Sequence, residues 1–146
     1  MEQIFVVPKS VSSTRLVKSE DLNHHGTLFA GRTAEWFVES GFIAAATLVK
    51  PKGIVCLKVH GLHFTKPVYP GEILTFISKV VYTGKSSIVS FIHIKKEGDN
   101  EPMLRGFITF INVDESTKSC PHHIVITPKT EMDIALYEEA KNLKKD

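Results

Sequence analysis

Residues 21–31, DLNHHGTLFAG, place one amide, two imidazoles and several small residues directly before a long apolar run. N–H groups in the first turn of a helix lack partners within that helix and carry partial positive charge, so they can bind a developing oxyanion. The small residues Gly26, Ala30 and Gly31 would let a reacting group approach closely. They also suit a tight turn, and the two interpretations are compatible.

The polar side chains of this segment are Asn23, His24 and His25. Asn23 offers both a donor and an acceptor, and an N-terminal cap or an Asx-turn would use the same atoms. A neutral imidazole at His24, His25 or the later His60 could orient a water or act as a base near neutral pH. Each histidine could equally be a simple hydrogen-bonding residue.

A second candidate site is the stretch GKSS, formed by Gly84, Lys85, Ser86 and Ser87. Its backbone N–H groups, two hydroxyls and one cation suit a phosphate, although a hairpin turn explains the same residues. The spacing of His, Cys and acidic residues predicts no metal site. The sequence contains no Gly-x-Ser-x-Gly motif, so a serine nucleophile is not expected, and Cys56 is expected in the core.

Hydrophobic periodicity organises residues 1–146 as one domain. It predicts a long helix at 28–48, a peripheral second helix near 130–145, and strands at 4–7, 54–64, 73–83, 88–96 and 103–114. Short turns join the last three strands, which predicts an antiparallel meander. A helix that is apolar nearly all round must be buried, so the pattern predicts an α+β fold with an antiparallel sheet wrapped around one central helix.

The faces of the long helix carry further predictions. Small residues on one narrow side predict close packing on the sheet; they are Ala30, Ala34, Gly41 and Ala45. The opposite side is a charged stripe of Arg32, Glu35 and Glu39, in which Arg32 can pair with Glu35 one turn on. Leu28, Trp36 and Ile43 flank the stripe, which predicts that a second subunit covers this face.

Composition excludes several classes of protein. A net charge of +2 is too small to indicate a nucleic-acid surface, and no uninterrupted apolar stretch is long enough to span a membrane. Two cysteines make no disulfide framework, so a reducing, cytoplasmic location is expected. The N-terminal MEQIFVVPKS is not expected to be a signal peptide.

Four motifs resemble, in order and near the expected spacing, those of the hotdog-fold acyl-CoA thioesterases of the acyl-CoA hydrolase branch. They are DLNHHGTLFAG leading into AEWFVESGFIAAA, then HFTKPVYPGE, YTGKSS and FITFINVD, and together they cover residues 21–114. The resemblance implies a hotdog fold and a homodimer with a continuous sheet and sites at the dimer interface. It also implies possible further assembly to a hexamer as a trimer of dimers.

The resemblance also implies a reaction: water attacks an acyl-CoA thioester and releases free acid and CoA, with no cofactor besides the CoA of the substrate. Asn23 and Glu39 would place or activate that water. Gly26, Ala30 and Gly31 would hold the thioester carbonyl, and the GKSS turn would contact CoA.

One departure from the family pattern concerns the acid. The family places it on the helix twelve residues after the loop glycine, where this chain has Val38, and Glu39 follows one residue later. Glu39 could act as the general base, or it could be an ion-pairing or subunit-contact residue. Val38 supports a rival function, a non-catalytic acyl-CoA binding or sensing module. A further rival is another hotdog enzyme such as a dehydratase, which would carry a different arrangement of His and acid.

Overall fold

The computed structural model describes residues 2–143, and its longest helix, α1, spans Ala30–Ala46. The described residues also form seven strands, a second α-helix and two short 3-10 helices. The strands are β1 (Ile4–Val6), β2 (Val11–Leu16), β3 (Ile54–His60), β4 (Ile73–Thr83), β5 (Ser87–Lys96), β6 (Leu104–Asn112) and β7 (Ile124–Ile126), and helix α2 is Glu131–Lys141. Among these residues, no helix has both the length and the apolarity needed to cross a bilayer.

Five strands form the main sheet in the order β2-β4-β5-β6-β3, with every neighbouring pair antiparallel. The predicted meander of β4, β5 and β6 is confirmed, as is the α+β fold with a sheet around one helix. β1 and β7 make a separate two-stranded parallel sheet.

Some predicted boundaries were wrong. β2 was missed because it is a polar edge strand, VSSTRL, with alternating partial burial. β7 was also missed, and it is the partner of the predicted strand at the N-terminus. The strand predicted to reach residue 64 ends at His60, and the next residue, Gly61, has a φ of +64° that leaves the extended conformation. Residues 144–145 of the predicted second helix lie outside the described residues.

Helix α1 lies very close to the concave face of the sheet. A Cβ added at Gly41 would lie 3.0 Å from Ile92 Cδ1 and 3.1 Å from Ile108 Cδ1, so only glycine fits without displacing these side chains. Ser78 Oγ donates to the Ser40 carbonyl at 2.8 Å, and Ser90 Oγ donates to the Gly41 carbonyl at 2.9 Å. The predicted close packing of the helix is thus present at Gly41.

Of the three bulky residues beside the charged stripe, two do not indicate a second subunit, so this prediction was partly wrong in its basis. Trp36 is 6% exposed because its own chain covers it: Phe76 contacts its edge and Arg15 lies over its ring. Leu28 is also buried within the chain, and only Ile43 is exposed. The predicted pair of Arg32 and Glu35 is present at 3.5 Å.

β3 is one of the two edge strands of the main sheet, opposite β2. Val55 and Leu57 are 46% and 48% exposed there, and Cys56 is exposed rather than in the core as expected. An edge strand presents unpaired backbone N–H and C=O groups. An edge that also exposes apolar side chains is suited to pair with another chain.

Candidate active site

The loop before α1 is fixed by Asp21, a residue to which the sequence analysis gave no role. Its side chain is buried, accepts a hydrogen bond from Lys18 N at 2.9 Å and pairs with Arg32 Nε at 3.3 Å. Its carbonyl accepts from Phe29 N at 2.9 Å. The loop is therefore tied to the first turn of the helix through both the carboxylate and the backbone of Asp21. The available signal was an acid opening the loop with a basic residue at the start of the predicted helix.

Asn23 organises the loop from within. Its Oδ1 accepts from His25 N at 2.8 Å and from Thr27 N at 3.2 Å, which is the Asx-turn alternative. Asn23 does not cap α1, because the N-cap residue is Phe29. Gly26 has a φ of +80°, a left-handed conformation that favours glycine at the tip of this loop.

The amides of Ala30 and Gly31 open the first turn of α1. Arg32 N and Thr33 N both donate to the Phe29 carbonyl, at 2.9 and 3.2 Å. Within residues 2–143, no acceptor lies within hydrogen-bonding distance of the Ala30 and Gly31 N–H groups. The Phe29 ring, 55% exposed, lies so close to Gly31 that an added Cβ would be 2.5 Å from it. The helix start therefore presents two N–H donors beside an apolar ring.

His24 and His25 are exposed in the loop that precedes the helix start. Their ring centroids are 3.9 Å apart, with the ring planes tilted by 42°. Asn23, both imidazoles and the first-turn amides all belong to residues 23–31 of the chain.

Glu39 and Val38 project from different sides of α1. Glu39 pairs with Arg15 on β2 and is about half exposed. Val38 is 100° further round the helix, on the side where Gly41 meets Ile108 of β6, and it packs against the core. The ion-pairing alternative for Glu39 is therefore present, and its role as a base stays a prediction.

The GKSS turn lies at the other end of the sheet from the helix start. The Leu28 N–H donates to the carbonyl of Val68, just before β4, whereas the turn follows the last residue of β4. A strand of 11 residues is roughly 35 Å long at about 3.3 Å per residue. One chain does not bring the two candidate sites together.

Within the turn, the residues have different environments. Gly84 N donates to both the carbonyl and the Oγ of Ser87 at 3.1 Å, and Ser87 is 1% exposed. The Ser86 carbonyl accepts from Asn112 N at 2.7 Å. The Ser87 hydroxyl is thus used inside the turn, and Lys85 is the exposed side chain available to a ligand.

His122, which the sequence analysis missed, holds this turn against the segment before β7. Its Nε2 lies 3.0 Å from the Ser87 carbonyl, and the Ile124 N–H donates to its Nδ1 at 2.9 Å. Only the neutral ring can make both bonds, with Nε2 as donor and Nδ1 as acceptor. Burial, as the largest cause, lowers the pKa of His122 below its ordinary value.

His60 lies on the convex face, away from α1. It is opposite Phe107 in register, and Phe107 packs against α2 rather than α1. Its Nε2 is 2.8 Å from Thr109 Oγ1, and burial, followed by the charge of Lys58, lowers its pKa. The structure does not bring His60 together with Asn23. In the described part of the chain, no group of three or more His, Cys, Asp or Glu residues could hold a metal ion.

A five-stranded antiparallel sheet wrapped around one central helix is a hotdog fold. The chain belongs to the thioesterase superfamily, whose family model matches residues 25–103.

The chain is similar to one protein by sequence and to two solved structures by fold, as follows. It is 29% identical over 143 residues to a Bacillus subtilis protein named as an uncharacterized acyl-CoA thioester hydrolase, YkhA, covering 95% of this chain and 82% of that one. A Staphylococcus aureus acyl-CoA hydrolase, solved with butyryl-CoA, CoA and CoA disulfide, has a TM-score of 0.78 and 25% identity over 90% of this chain and 79% of its own. A hexameric acyl-CoA thioesterase has a TM-score of 0.79 and 28% identity over 90% and 86%.

The Staphylococcus aureus enzyme has also been solved as alanine variants of an aspartate, an asparagine and a threonine.

The geometry of His122 predicts a pH dependence of stability. Its folded pKa is lowered, so the unfolded chain binds the proton first, and stability is lost as the pH falls below the unfolded value of about 6.5. We expect ring resonances of His122 to titrate below about 6.5 in NMR spectra. From pH 7 to pH 5, the free energy of unfolding should fall less in His122→Gln than in the unsubstituted chain, as measured by denaturant unfolding. An equal loss in both proteins would contradict this role.

Proposed function

We propose that this protein hydrolyses acyl-CoA thioesters to a free acid and CoA. The observation that carries the proposal is the pair of N–H groups at Ala30 and Gly31, without an acceptor among the described residues, beside the Asn23 loop of a thioesterase-superfamily chain. The names of the relatives, acyl-CoA hydrolases among them, support acyl-CoA as the substrate.

The chemistry follows from the charge that develops in the reaction. The thioester carbonyl oxygen accepts from the Ala30 and Gly31 amides, which stabilise it as water attacks the carbonyl carbon. The tetrahedral intermediate then expels the CoA thiolate, which takes up a proton. Asn23 positions the water, and the Phe29 ring supplies an apolar wall beside the reacting group. No cofactor beyond the CoA of the substrate is needed.

The general base is assigned to the pair His24 and His25. Both are exposed on the loop that carries Asn23, and imidazole accepts a proton near neutral pH. Glu39 is a weaker candidate because it pairs with Arg15 on the β2 side of α1. Val38 is an apolar side chain at the position where the family pattern has an acid. That departure keeps one alternative function open, a non-catalytic module that binds or senses acyl-CoA.

The complete site needs two chains. In a homodimer, β3 pairs with the β3 of its partner across a twofold axis, and the two strands run antiparallel. The end of β3 at residue 54 adjoins Asn112 and thus the GKSS turn, whereas the end at residue 60 points towards the helix start. The twofold axis therefore brings the partner's turn alongside this chain's helix start. The hexameric relative supports further assembly as a trimer of dimers.

Turnover is tested by incubating the protein with acyl-CoAs of different chain lengths and measuring thiol release. We expect hydrolysis, and we expect Asn23→Ala to lower kcat/KM by about 10- to 100-fold because the loop and the water lose their positioning group. Asn142→Ala, in an exposed position at the end of α2, serves as the control with normal activity. Binding of every acyl-CoA without turnover would contradict the hydrolase function and support the non-catalytic binding module.

The base is tested by paired substitutions in the same assay. The double substitution His24→Gln and His25→Gln should lower kcat by about 100-fold or more, whereas the exposed His63→Gln should not. Glu39→Gln should have the same kcat as Glu35→Gln. Glu35 lies one turn earlier and forms an exposed ion pair.

Val38→Asp, which restores the expected acid, should raise kcat. Loss of activity in Glu39→Gln with an intact fold would instead make Glu39 the base.

The shared site is tested by mixing two inactive variants. Asn23→Ala damages the helix start and Lys85→Glu damages the turn, so a mixed dimer contains one site with both changes and one with neither. Co-expression of the two variants should restore roughly a quarter of the activity, since half of the dimers are mixed and each has one intact site. Activity no higher than the mean of the two separate variants would place both groups in one chain's site.

A further inference from the structure

A cavity of about 310 Å³ lies on the convex face of the main sheet, beneath α2. Its floor includes one row of residues in register across three strands, Ile77, His93 and Arg105. Helix α2 covers it with Met132 and Leu136. The opposite, concave face carries α1, so this cavity is separate from the candidate active site.

The cavity combines apolar walls with cationic groups from two strands, β4 and β6. Lys79 Nζ pairs with Asp133 at 2.5 Å, and Arg105 Nη2 pairs with Glu139 at 3.0 Å, both acids being on α2. Lysine has three N–H donors and arginine five, so each retains donors beyond these pairs. The Arg105 guanidinium also lies over the rings of Phe91 and Phe107, at 5.0 and 5.7 Å, which holds it at the rim.

His93 sits at the centre of this arrangement. In the described part of the chain, neither of its ring nitrogens has a hydrogen-bond partner, although its ring contacts Phe91. Burial lowers its pKa, and so do the charges of Lys79, Lys95 and Arg105. The two carboxylates nearby, Asp133 and Glu139, are already paired. An added anion would therefore meet two cations and an unpartnered imidazole.

We propose that this cavity binds a small monocarboxylate with an apolar chain. The carboxylate would take N–H donors from Arg105, Lys79 and His93, and the chain would lie against Ile77, Phe91 and Leu136. At about 30 Å³ for each water-sized group, the volume holds roughly ten heavy atoms, which fits an acid of about eight carbons. The acid released by thioester hydrolysis belongs to this class, so on the proposed function the site would bind a reaction product away from the site of chemistry.

Binding should change the charge of His93. A carboxylate beside the ring favours its protonated form and opposes the cations that disfavour it. The bound acid should therefore raise the pKa of His93, while Lys79, Lys95 and Arg105 stay charged and Asp133 and Glu139 stay paired.

The experiment titrates the full chain with octanoate and follows backbone and histidine resonances by NMR. We expect saturable shifts at His93, Arg105 and Leu136 and a rise in the His93 pKa. Octylamine has the same chain length but is a cation near neutral pH, and it should not produce these shifts. Shifts confined to Asn23, Gly26 and Gly31 would mean that octanoate binds only at the helix start, and they would overturn the proposal.

Variants separate a specific site from weak association. Arg105→Gln should raise the dissociation constant for octanoate about tenfold or more, and His93→Gln should also weaken binding. Lys118→Gln, the same charge change in an exposed turn, should bind like the unsubstituted chain. Equal binding by Arg105→Gln and Lys118→Gln, or equal binding of octylamine, would overturn the proposal. Because binding is measured without turnover, the cavity site can be disproved while hydrolysis is observed. Equally, the cavity can bind octanoate while hydrolysis is absent.

Discussion

The close approach of α1 to the sheet is the constraint on which the rest of the structure depends. Gly41 allows the helix to rest directly on Ile92 and Ile108, and two buried serine hydroxyls bind the helix carbonyls at the same level. Once the helix is fixed there, Asp21 ties the preceding loop to its first turn. The two first-turn amides are therefore held in place by packing that lies more than a helical turn away.

On the proposed function, the same architecture makes a single chain an incomplete enzyme. The sheet separates the helix start from the GKSS turn by the length of β4, so one thioester substrate meets both only if a second chain supplies one of them. β3 provides the edge for that pairing, with apolar side chains exposed along it. The sheet thus divides the molecule into a concave side for the proposed chemistry and a convex side beneath α2 with a cavity of a different character.

Much of the fold could be predicted from the sequence, because strong periodicity marked α1 and the three strands of the meander. The polar strand β2 gave no such signal, since its side chains alternate on an exposed edge and its partner, β4, lies 60 residues further along the chain. Trp36 was misread for the same reason: its cover comes from Arg15 on β2 and from Phe76 on β4. The candidate residues of the loop could be proposed from the sequence because they are contiguous. His122 was not predicted, because Ser87, one of its partners, lies in a distant turn, and the ion pair of Glu39 with Arg15 became clear only with β2 in place.

The central claim is that a thioester binds across two chains, at the helix start of one and the GKSS turn of the other. A crystal structure with a non-hydrolysable acyl-CoA analogue tests it most directly. The account predicts the carbonyl oxygen within hydrogen-bonding distance of the Ala30 and Gly31 amides of one protomer, and the phosphates of the same molecule beside Lys85 of its partner. An analogue whose carbonyl is bound elsewhere, or whose phosphates contact only the protomer that holds its carbonyl, would contradict it.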